Sequence, residues 1–339
     1  MKALFIGGTG TISSAITRLV SQSPDWELYL INRGNYSTEI PKNVHTIIAD
    51  INKEAMVAEA IKGMQFDVVC DFIAFVPEQL ERDYRLFKDK TRQFMFISSA
   101  SAYQKPLSSP YITEGTPLSN PYWEYSRNKI ACEELLMKWY RQEGFPITIV
   151  RPSHTYCERS LPVAIHGSKG SWQVLRRMID GKPVIIPGDG TSLWHVTHNS
   201  DFAKAFFGLM NNKHAIGESF HITGDEQLTW NQILEIIAAA LGVKLKPYHI
   251  SSDFLAEVGK QYDLEGGLIG DKANSVIFDN TKVKRAVPGY VATTRFDQGA
   301  YAAVKHILKH EELQTPDPEF DMWCDKVIAA VEKAKKELL

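Results

Sequence analysis

Short apolar runs alternate with helically patterned segments over the first 150 of the chain's 339 residues. Runs this short are typical of buried strands, whereas apolar spacings of three and four residues are typical of helices. The predicted strands span 2–6, 27–31, 44–49, 67–71, 94–97 and 147–150, and the clearest helices among them span 53–62 and 123–142. This alternation predicts an α/β protein with a doubly wound parallel sheet and right-handed crossovers.

The rhythm changes after Arg151. A mixed segment, 165–172, precedes a predicted helix at 174–179, a strand at 183–186 and a turn at 187–190. Further predicted helices span 199–211, 230–241, 296–308 and 320–338, and further strands span 219–222 and 246–250. The stretches 253–262 and 265–267 fit no clear element. We therefore predict a first unit at 1–155, completed by part of the later chain, and a smaller C-terminal α/β unit at 156–339.

Composition narrows the range of partners. Lysine and arginine total 38, aspartate and glutamate total 40, and the net charge is −2. Such a chain has no electrostatic reason to bind a polyanion, so nucleic acid is an unlikely partner. A content of 44% hydrophobic and 23% charged residues fits a globular protein with a sizeable core.

The cysteines and the apolar runs indicate a compartment. Cys70, Cys132, Cys157 and Cys324 show neither CxxC nor metal-ligand spacing, so we expect reduced thiols, no metal site and a cytoplasmic protein. The N-terminal apolar run is too short for a signal peptide, and no later run is long enough to span a bilayer. We therefore expect no membrane association.

A glycine-rich turn, Gly7-Gly8-Thr9-Gly10, joins the first predicted strand to a helical pattern that starts at Ala15. Glycines let the backbone approach a pyrophosphate, and a helix N-terminus presents free N–H groups to it. The alternative is an ordinary tight turn between a strand and a helix. The position of the turn after the first strand favours a dinucleotide site.

The ends of the next three strands offer further contacts to a dinucleotide. Asn32-Arg33-Gly34 lies where dinucleotide folds read the adenosine ribose. An acid there would bind both ribose hydroxyls, whereas Arg33 offers a cation to a 2′-phosphate, which slightly favours NADP over NAD. The alternative is a solvated surface arginine. Asp50-Ile51 is placed to hold an adenine, and Phe72-Ile73-Ala74 can line the cofactor cleft.

Three side chains indicate proton transfer. Ser99 follows the apolar run 94–97, and Tyr125 and Lys129 lie four residues apart in the helix predicted at 123–142. Residues at this spacing share one helix face. A lysine ammonium beside a phenol stabilises the phenolate, and a serine hydroxyl can bind the same substrate oxygen. The pattern predicts acid/base chemistry at an alcohol or a carbonyl, with a functionless surface pair as the alternative.

Together these motifs resemble the extended short-chain dehydrogenase/reductase family, in its NAD-dependent epimerase/dehydratase group. The resemblance covers most of the chain, because Pro187-Gly188-Asp189-Gly190 and the strand around Phe220-His221 match the family's substrate-domain elements. It implies that 1–155 is a dinucleotide-binding Rossmann domain and that 156–339 is mostly a substrate-binding domain with C-terminal helices.

The resemblance also implies residue roles. Tyr125 matches the catalytic acid/base, Lys129 the residue that lowers its pKa and holds the nicotinamide ribose, and Ser99 the donor to the substrate oxygen. Ionisation of a tyrosine at neutral pH needs a downward pKa shift of about three units. The implied NAD(P)-binding residues are Gly7, Thr9, Gly10, Thr11, Ile12, Asn32, Arg33, Asp50, Ile51, Phe72, Ile73, Ala74, Tyr125, Lys129, Pro152 and His154.

Several positions depart from the family pattern. Ser13 replaces the usual third glycine. In this respect the turn is similar to that of an atypical subgroup, which includes proteins described as sugar epimerases and as plastid RNA-binding proteins. Ala100-Ser101 lacks the acid that dehydratases place beside the catalytic hydroxyl, so epimerisation or reduction is favoured over dehydration. Trp194-His195 occupies the region where sugar-nucleotide enzymes often carry an arginine, so a nucleotide sugar is less strongly indicated.

The leading hypothesis is an NAD(P)-dependent epimerase or oxidoreductase that acts on a hydroxyl or ketone of a sugar or nucleotide sugar. The alternatives are an NADPH-dependent reductase of a small carbonyl compound and a non-catalytic cofactor-binding or RNA-binding protein. We expect a homodimer that pairs through Ile130, Leu135 and Trp139, and a buried structural carboxylate at Asp71. Candidate substrate contacts, each more simply explained by packing or surface exposure, are His154, Tyr156, His166, Lys169, Trp172, Trp194 and His195.

Overall fold

The computed structural model describes residues 1–35 and 39–339. Within these residues the strands are β1 Lys2–Ile6, β2 Glu27–Asn32, β3 His45–Ile48, β4 Val68–Asp71, β5 Phe94–Ile97, β6 Tyr111–Ile112, β7 Ile147–Pro152, β8 His154–Tyr156, β9 Val184–Pro187, β10 Leu193–Trp194, β11 Val196–His198, β12 Ser219–Ile222, β13 Leu228–Thr229, β14 Pro247–Ile250 and β15 Ile277–Phe278. The α-helices are α1 Ser13–Ser21, α2 Glu54–Ala60, α3 Pro77–Phe87, α4 Glu124–Glu143, α5 Trp172–Ile179, α6 Asn199–Leu209, α7 Trp230–Ala240, α8 Ser252–Val258, α9 Thr281–Ala286, α10 Phe296–Ile307 and α11 Pro318–Leu338.

Seven strands form one parallel sheet in the order β12-β7-β5-β4-β1-β2-β3. The doubly wound sheet predicted from the sequence is therefore confirmed. Ile6 pairs with Asp71 at the ends of β1 and β4, the two strands between which the order reverses. Ligands of such sheets bind in the crevice outside the carboxyl ends of the strands at this reversal.

The two faces of the sheet are covered by different helices. Phe5 of β1 packs with Ile16 of α1 and Phe202 of α6. Leu4, on the opposite face of the same strand, packs in the cluster that includes Leu80 of α3 and side chains of α4. This alternation follows from the two-residue period of a strand.

The later chain contributes both to the sheet and to separate small elements. Strand β12 pairs with β7 at the edge of the main sheet. The pairs β8–β11, β9–β14, β10–β13 and β6–β15 form four two-stranded sheets. A separate hydrophobic cluster is built mainly from this part of the chain. The stretch without a sequence prediction forms α8 and then a π-helix, Glu265–Lys272.

Helix α4 differs from expectation on one face. Trp139 was predicted to belong to a surface for a second subunit, but it is only 8% exposed. Its ring stacks on Tyr84 of α3, with centroids 4.4 Å apart. This expectation was wrong because α3 covers the residue within the same chain, whereas Ile130 and Leu135 remain partly exposed.

Within residues 1–35 and 39–339, no helix is long and apolar enough to cross a bilayer, and no three His, Cys, Asp or Glu side chains are grouped as metal ligands. All four cysteines are buried and free.

A buried ion pair fixes α4 against the sheet. Arg151 of β7 bonds Glu133 of α4 through Nε to Oε1 at 2.9 Å and through Nη2 to Oε2 at 2.6 Å. Both side chains are almost fully buried. The Ser98 hydroxyl also donates to Glu133, and Arg151 donates to the Tyr103 hydroxyl at 3.2 Å. The pair therefore sets the position of the helix that carries Tyr125 and Lys129.

We predict that Arg151→Met lowers the free energy of unfolding by about 3–5 kcal/mol, because it leaves the buried Glu133 carboxylate without its partner. Arg176→Met is the matched control, since Arg176 pairs with Asp180 in an exposed i,i+4 geometry that contributes only about 0.3–0.5 kcal/mol. Urea denaturation measures both values. Equal losses in the two variants would contradict the role assigned to the buried pair.

Candidate active site

Lys129 is held beneath the carboxyl edge of the sheet. Its Nζ donates to the carbonyl oxygens of Ala74 and Ile97, both at 2.7 Å, and the residue is 2% exposed. The ammonium lies 5.8 Å from the ring centroid of Tyr125. The i,i+4 spacing on α4 therefore brings the lysine and the tyrosine together, and two backbone carbonyls fix the lysine.

Ser99 belongs to a cluster of three hydroxyls. It caps the short 3₁₀ helix Ala100–Ala102, where its Oγ accepts from the Ser101 amide at 3.2 Å. The Oγ atoms of Ser99 and Ser101 are 2.8 Å apart, and Ser126 donates to Ser101 at 2.7 Å. The sequence analysis gave no role to the hydroxyls of Ser101 and Ser126, although each lies within two residues of a predicted catalytic side chain.

The electrostatics of Tyr125 differ from the sequence-based expectation. Burial raises the pKa of the phenol above its usual value, the charge of Asp271 raises it further, and the interaction with Ser99 lowers it. In the chain alone, the Lys129 ammonium therefore does not produce the depressed pKa that the family resemblance implied. Burial also lowers the pKa of Lys129 itself, to about 8. The low-dielectric surroundings favour the neutral form of both groups.

A groove of about 640 Å³ runs along the carboxyl edge over the glycine turn. Gly7 and Gly8 have φ angles of +96° and +117°, which side chains rarely adopt. Thr17 of α1 bonds the Gly8 carbonyl at 2.8 Å. The first turn of α1 has neither an acidic residue nor a capping side chain, and its first residue, Ser13, lines the groove. This helix N-terminus therefore suits an anion such as a pyrophosphate.

One end of this groove is lined by Asn32, Arg33, Asp50 and Ile51. In the orientation that satisfies its neighbours, the Asn32 amide donates to the carbonyl oxygens of Ile31 and Gly7, both at 3.2 Å. Arg33 is exposed, and within residues 1–35 and 39–339 it has no ion-pair partner. Asp50 accepts from the Asn52 amide at 3.0 Å.

The opposite wall of the groove is apolar. Phe72, Ile73 and Phe75 line it, and Ile73 and Phe75 are 40% and 47% exposed. Ala74 was predicted to line this wall as well, but it is buried and takes part through its carbonyl bond to Lys129. Exposed apolar side chains in a groove are typical of a surface that binds a flat heterocycle.

Asp71 shapes this wall from below. The carboxylate is fully buried, as expected, and its Oδ1 accepts from the amides of Ile73 and Ala74 at 2.6 and 2.9 Å. Arg82 Nη2 lies 3.9 Å from its other oxygen. Asp71 therefore fixes the loop whose carbonyl binds Lys129.

A second cavity, of about 380 Å³, adjoins the groove because Thr11 and Ile12 line both. Ser99, Tyr125, Pro152 and His154 of the predicted set line it. Burial lowers the pKa of His154 to about 3, so this imidazole is neutral. Residues of this cavity that the sequence did not single out include Lys105, Trp123 and Asp271.

The cavity is closed by the C-terminal half of the chain. Asn120 Nδ2 donates to the carbonyl oxygens of Ser101 at 2.8 Å and Gly270 at 2.7 Å, and so ties the serine loop to the π-helix. A Cβ at Gly266 would lie 2.1 Å from the Trp123 ring. The close approach brings Asp271 into the cavity wall.

Of the remaining candidate substrate contacts, one lines the second cavity and the others do not. Trp194 lines the cavity, and its buried Nε1 has no hydrogen-bond partner within residues 1–35 and 39–339. His195 instead bonds the Gly224 carbonyl and the Phe278 amide, which is a structural role. The others that lie outside both cavities are Tyr156, His166, Lys169 and Trp172.

The chain is similar in sequence to a reductase and to dehydratases. The sequence model of the NAD dependent epimerase/dehydratase family matches residues 3–223. A 2′-dehydrokanamycin reductase of Streptomyces kanamyceticus is 22% identical over 293 residues, covering 86% of this chain and 80% of that protein. A dTDP-glucose 4,6-dehydratase of Haemophilus influenzae is 25% identical and covers 91% of this chain and 98% of that protein.

Solved structures share the fold. A UDP-glucuronic acid 4-epimerase of Bacillus cereus, in complex with UDP-glucuronic acid and NAD, has a TM-score of 0.73. The two sequences are 20% identical, and the match covers 91% of this chain and 99% of that chain. A dTDP-glucose 4,6-dehydratase of Bacillus anthracis in complex with NAD has a TM-score of 0.72 at 20% identity, over 92% of this chain and 98% of that chain.

The pKa of Lys129 yields a prediction for stability. Burial lowers it from 10.5 to about 8, so between these values the unfolded chain binds more protons than the folded chain, and stability rises with pH. Relative to Lys129→Met, the wild type should gain roughly 3 kcal/mol from pH 8 to pH 10.5. Denaturant unfolding of protein stripped of bound nucleotides measures this difference. Lys138→Met, at an exposed position of the same helix, is the control. A difference between Lys129→Met and the wild type that does not change with pH would refute the assigned burial of Lys129.

Proposed function

The chain belongs to the NAD dependent epimerase/dehydratase family, and from this premise we propose that it is an NAD(P)-dependent enzyme acting on a hydroxyl or ketone of a sugar or nucleotide sugar. The observation that carries the proposal is the junction of the two cavities. The groove over the glycine turn meets, at Thr11 and Ile12, the cavity that contains Ser99 and Tyr125.

The groove fits a dinucleotide. The uncapped N-terminus of α1 and the glycine turn suit a pyrophosphate, Asp50 and Ile51 would face the adenine, and Ile73 and Phe75 would face the nicotinamide end. When bound, the cofactor supplies the acceptor or donor of hydride.

The chain's own residues provide acid/base chemistry. Tyr125 would take the proton of the substrate hydroxyl, or return it to a ketone oxygen, while Ser99 donates to the same oxygen. The Ser99–Ser101–Ser126 hydroxyls fix the donor. Lys129 holds a positive charge near the phenol and stabilises the phenolate whenever the tyrosine is ionised.

An epimerase retains its cofactor and shows no net redox change, whereas a reductase consumes free NADPH. The likeness to 2′-dehydrokanamycin reductase over 86% of the chain favours reduction as the second candidate. Cofactor content after purification and NADPH consumption during turnover separate the two. Unchanged function of a Tyr125→Phe variant in vivo would favour the third reading, a cofactor-binding or RNA-binding protein.

We also propose a cytoplasmic homodimer. The partly exposed Ile130 and Leu135 of α4 support the pairing surface, whereas Trp139 is already covered by Tyr84 within the chain.

We predict that Tyr125→Phe lowers kcat about 10²- to 10⁴-fold, because the variant lacks the proton donor and acceptor. Turnover of UDP-glucose, UDP-glucuronic acid and dTDP-glucose by the cofactor-loaded protein is followed by chromatography of the products. Tyr111→Phe, at a 68% exposed position, is the control and should keep wild-type turnover. Wild-type rates in Tyr125→Phe would show that the phenol takes no part in proton transfer.

The choice between NAD and NADP is the finer part of the proposal. Arg33 lines the groove without an ion-pair partner in the described chain, and a cation there suits a 2′-phosphate. Arg33→Ala should weaken NADP⁺ binding about tenfold, the loss expected for one charged hydrogen bond, and leave NAD⁺ binding unchanged. Calorimetric titration measures both affinities, with exposed Arg92→Ala as control. Equal effects on the NAD⁺ and NADP⁺ affinities would show that Arg33 does not contact the 2′-phosphate.

A further inference from the structure

Lys105 is a buried cation without an anionic partner in contact. It is 3% exposed and lines the cavity that contains Ser99 and Tyr125. Its backbone amide donates to the Ser119 carbonyl at 2.7 Å, which fixes its place in the loop. Within residues 1–35 and 39–339, its ammonium donates no hydrogen bond and no carboxylate lies within 4.0 Å of it.

The nearest acidic group is already engaged. Asp271 lies close enough to oppose the lowering of the Lys105 pKa by burial, but its ion pair is with Lys272, whose Nζ lies 3.6 Å from Oδ2. Lys272 also lies 5.8 Å from the Trp123 ring centroid. Asp271 is therefore in contact with Lys272, and Lys105 has no carboxylate in contact with its ammonium in the described chain.

The balance of charge at and beside the cavity wall is positive. Lys105 and Asp271 line it, Asp271 pairs with Lys272 from outside the lining, and His154 is neutral, so the three charges sum to one positive charge. A buried ammonium without a partner is unfavourable, and an anion that replaces its lost hydration restores the balance.

We propose that Lys105 binds an anionic substituent, a carboxylate or a phosphate, on the ring of the substrate, so that the enzyme prefers acidic sugars to neutral ones. The inference rests on the proposed function, because it assumes that the cavity holds the reacting sugar. Lys105 shares this cavity with Tyr125 and Ser99, so the anion would be on the reacting ring rather than on the nucleotide part. The contact is a charge-assisted hydrogen bond from Nζ to an anionic oxygen.

The test measures binding to cofactor-loaded protein by calorimetry. UDP-glucuronic acid is compared with UDP-glucose for the carboxylate, and glucose 6-phosphate with glucose for the phosphate. We expect the wild type to bind the acidic member of at least one pair about tenfold or more tightly, the size of one charged hydrogen bond. Lys105→Gln should remove that preference without changing the affinity for the neutral member. Lys105→Arg should retain part of it, and the exposed control Lys138→Gln should retain all of it.

Asp271→Asn provides a test of opposite sign. It removes the negative charge near Lys105 and should therefore tighten binding of the acidic sugar. If the substitutions only disturbed the structure, Lys105→Gln and Asp271→Asn would both weaken binding. The proposal is overturned if the wild type does not distinguish either pair, or if the preference survives in Lys105→Gln.

The failure of this inference is distinguishable from that of the proposed function. Turnover that depends on Tyr125 without any acidic preference would refute the role of Lys105 alone. A preference that depends on Lys105, with turnover unaffected by Tyr125→Phe, would refute the proposed chemistry and leave the anion site standing.

Discussion

One buried ammonium holds the site together. Lys129 donates to the carbonyl oxygens of Ala74, in the loop after β4, and of Ile97, at the end of β5. A charge in such surroundings needs these hydrogen bonds, because burial alone favours its neutral form. The helix that carries Tyr125 is thus tied to two neighbouring strand ends at the crevice. Asp71 fixes the Ala74 loop, and the Glu133–Arg151 pair fixes α4 further along its length.

The two halves of the site have different structural origins. The groove is built from consecutive strand ends of the parallel sheet, where backbone geometry places the glycine turn. The adjoining cavity depends on the C-terminal half, which reaches the serine loop through Asn120 and Gly270. The sheet therefore positions the groove, whereas the charged groups at and beside the adjoining cavity come from the loop with Lys105 and from the π-helix with Asp271 and Lys272.

The pKa directions show how this site differs from a simple tyrosine–lysine pair. Burial shifts Tyr125 and Lys129 toward their neutral forms, and the negative charge of Asp271 opposes the phenolate. An uncharged occupant of the two cavities would not reverse these pKa shifts. A positive charge brought near the phenol would lower its pKa, so the ionisation of Tyr125 depends on what occupies the two cavities.

The sequence by itself determined the parallel sheet, the glycine turn and the placement of Tyr125 and Lys129 on one helix face. These features follow from local periodicity and from short-range spacing, which can be read from the sequence without knowing which distant residues are in contact. Only the tertiary structure decided that Asp271 and Lys105 enter the same cavity, that Tyr84 covers Trp139, and that burial raises the pKa of Tyr125. Each of these outcomes depends on packing between segments far apart in the chain, and no local pattern records which side chains such packing brings together.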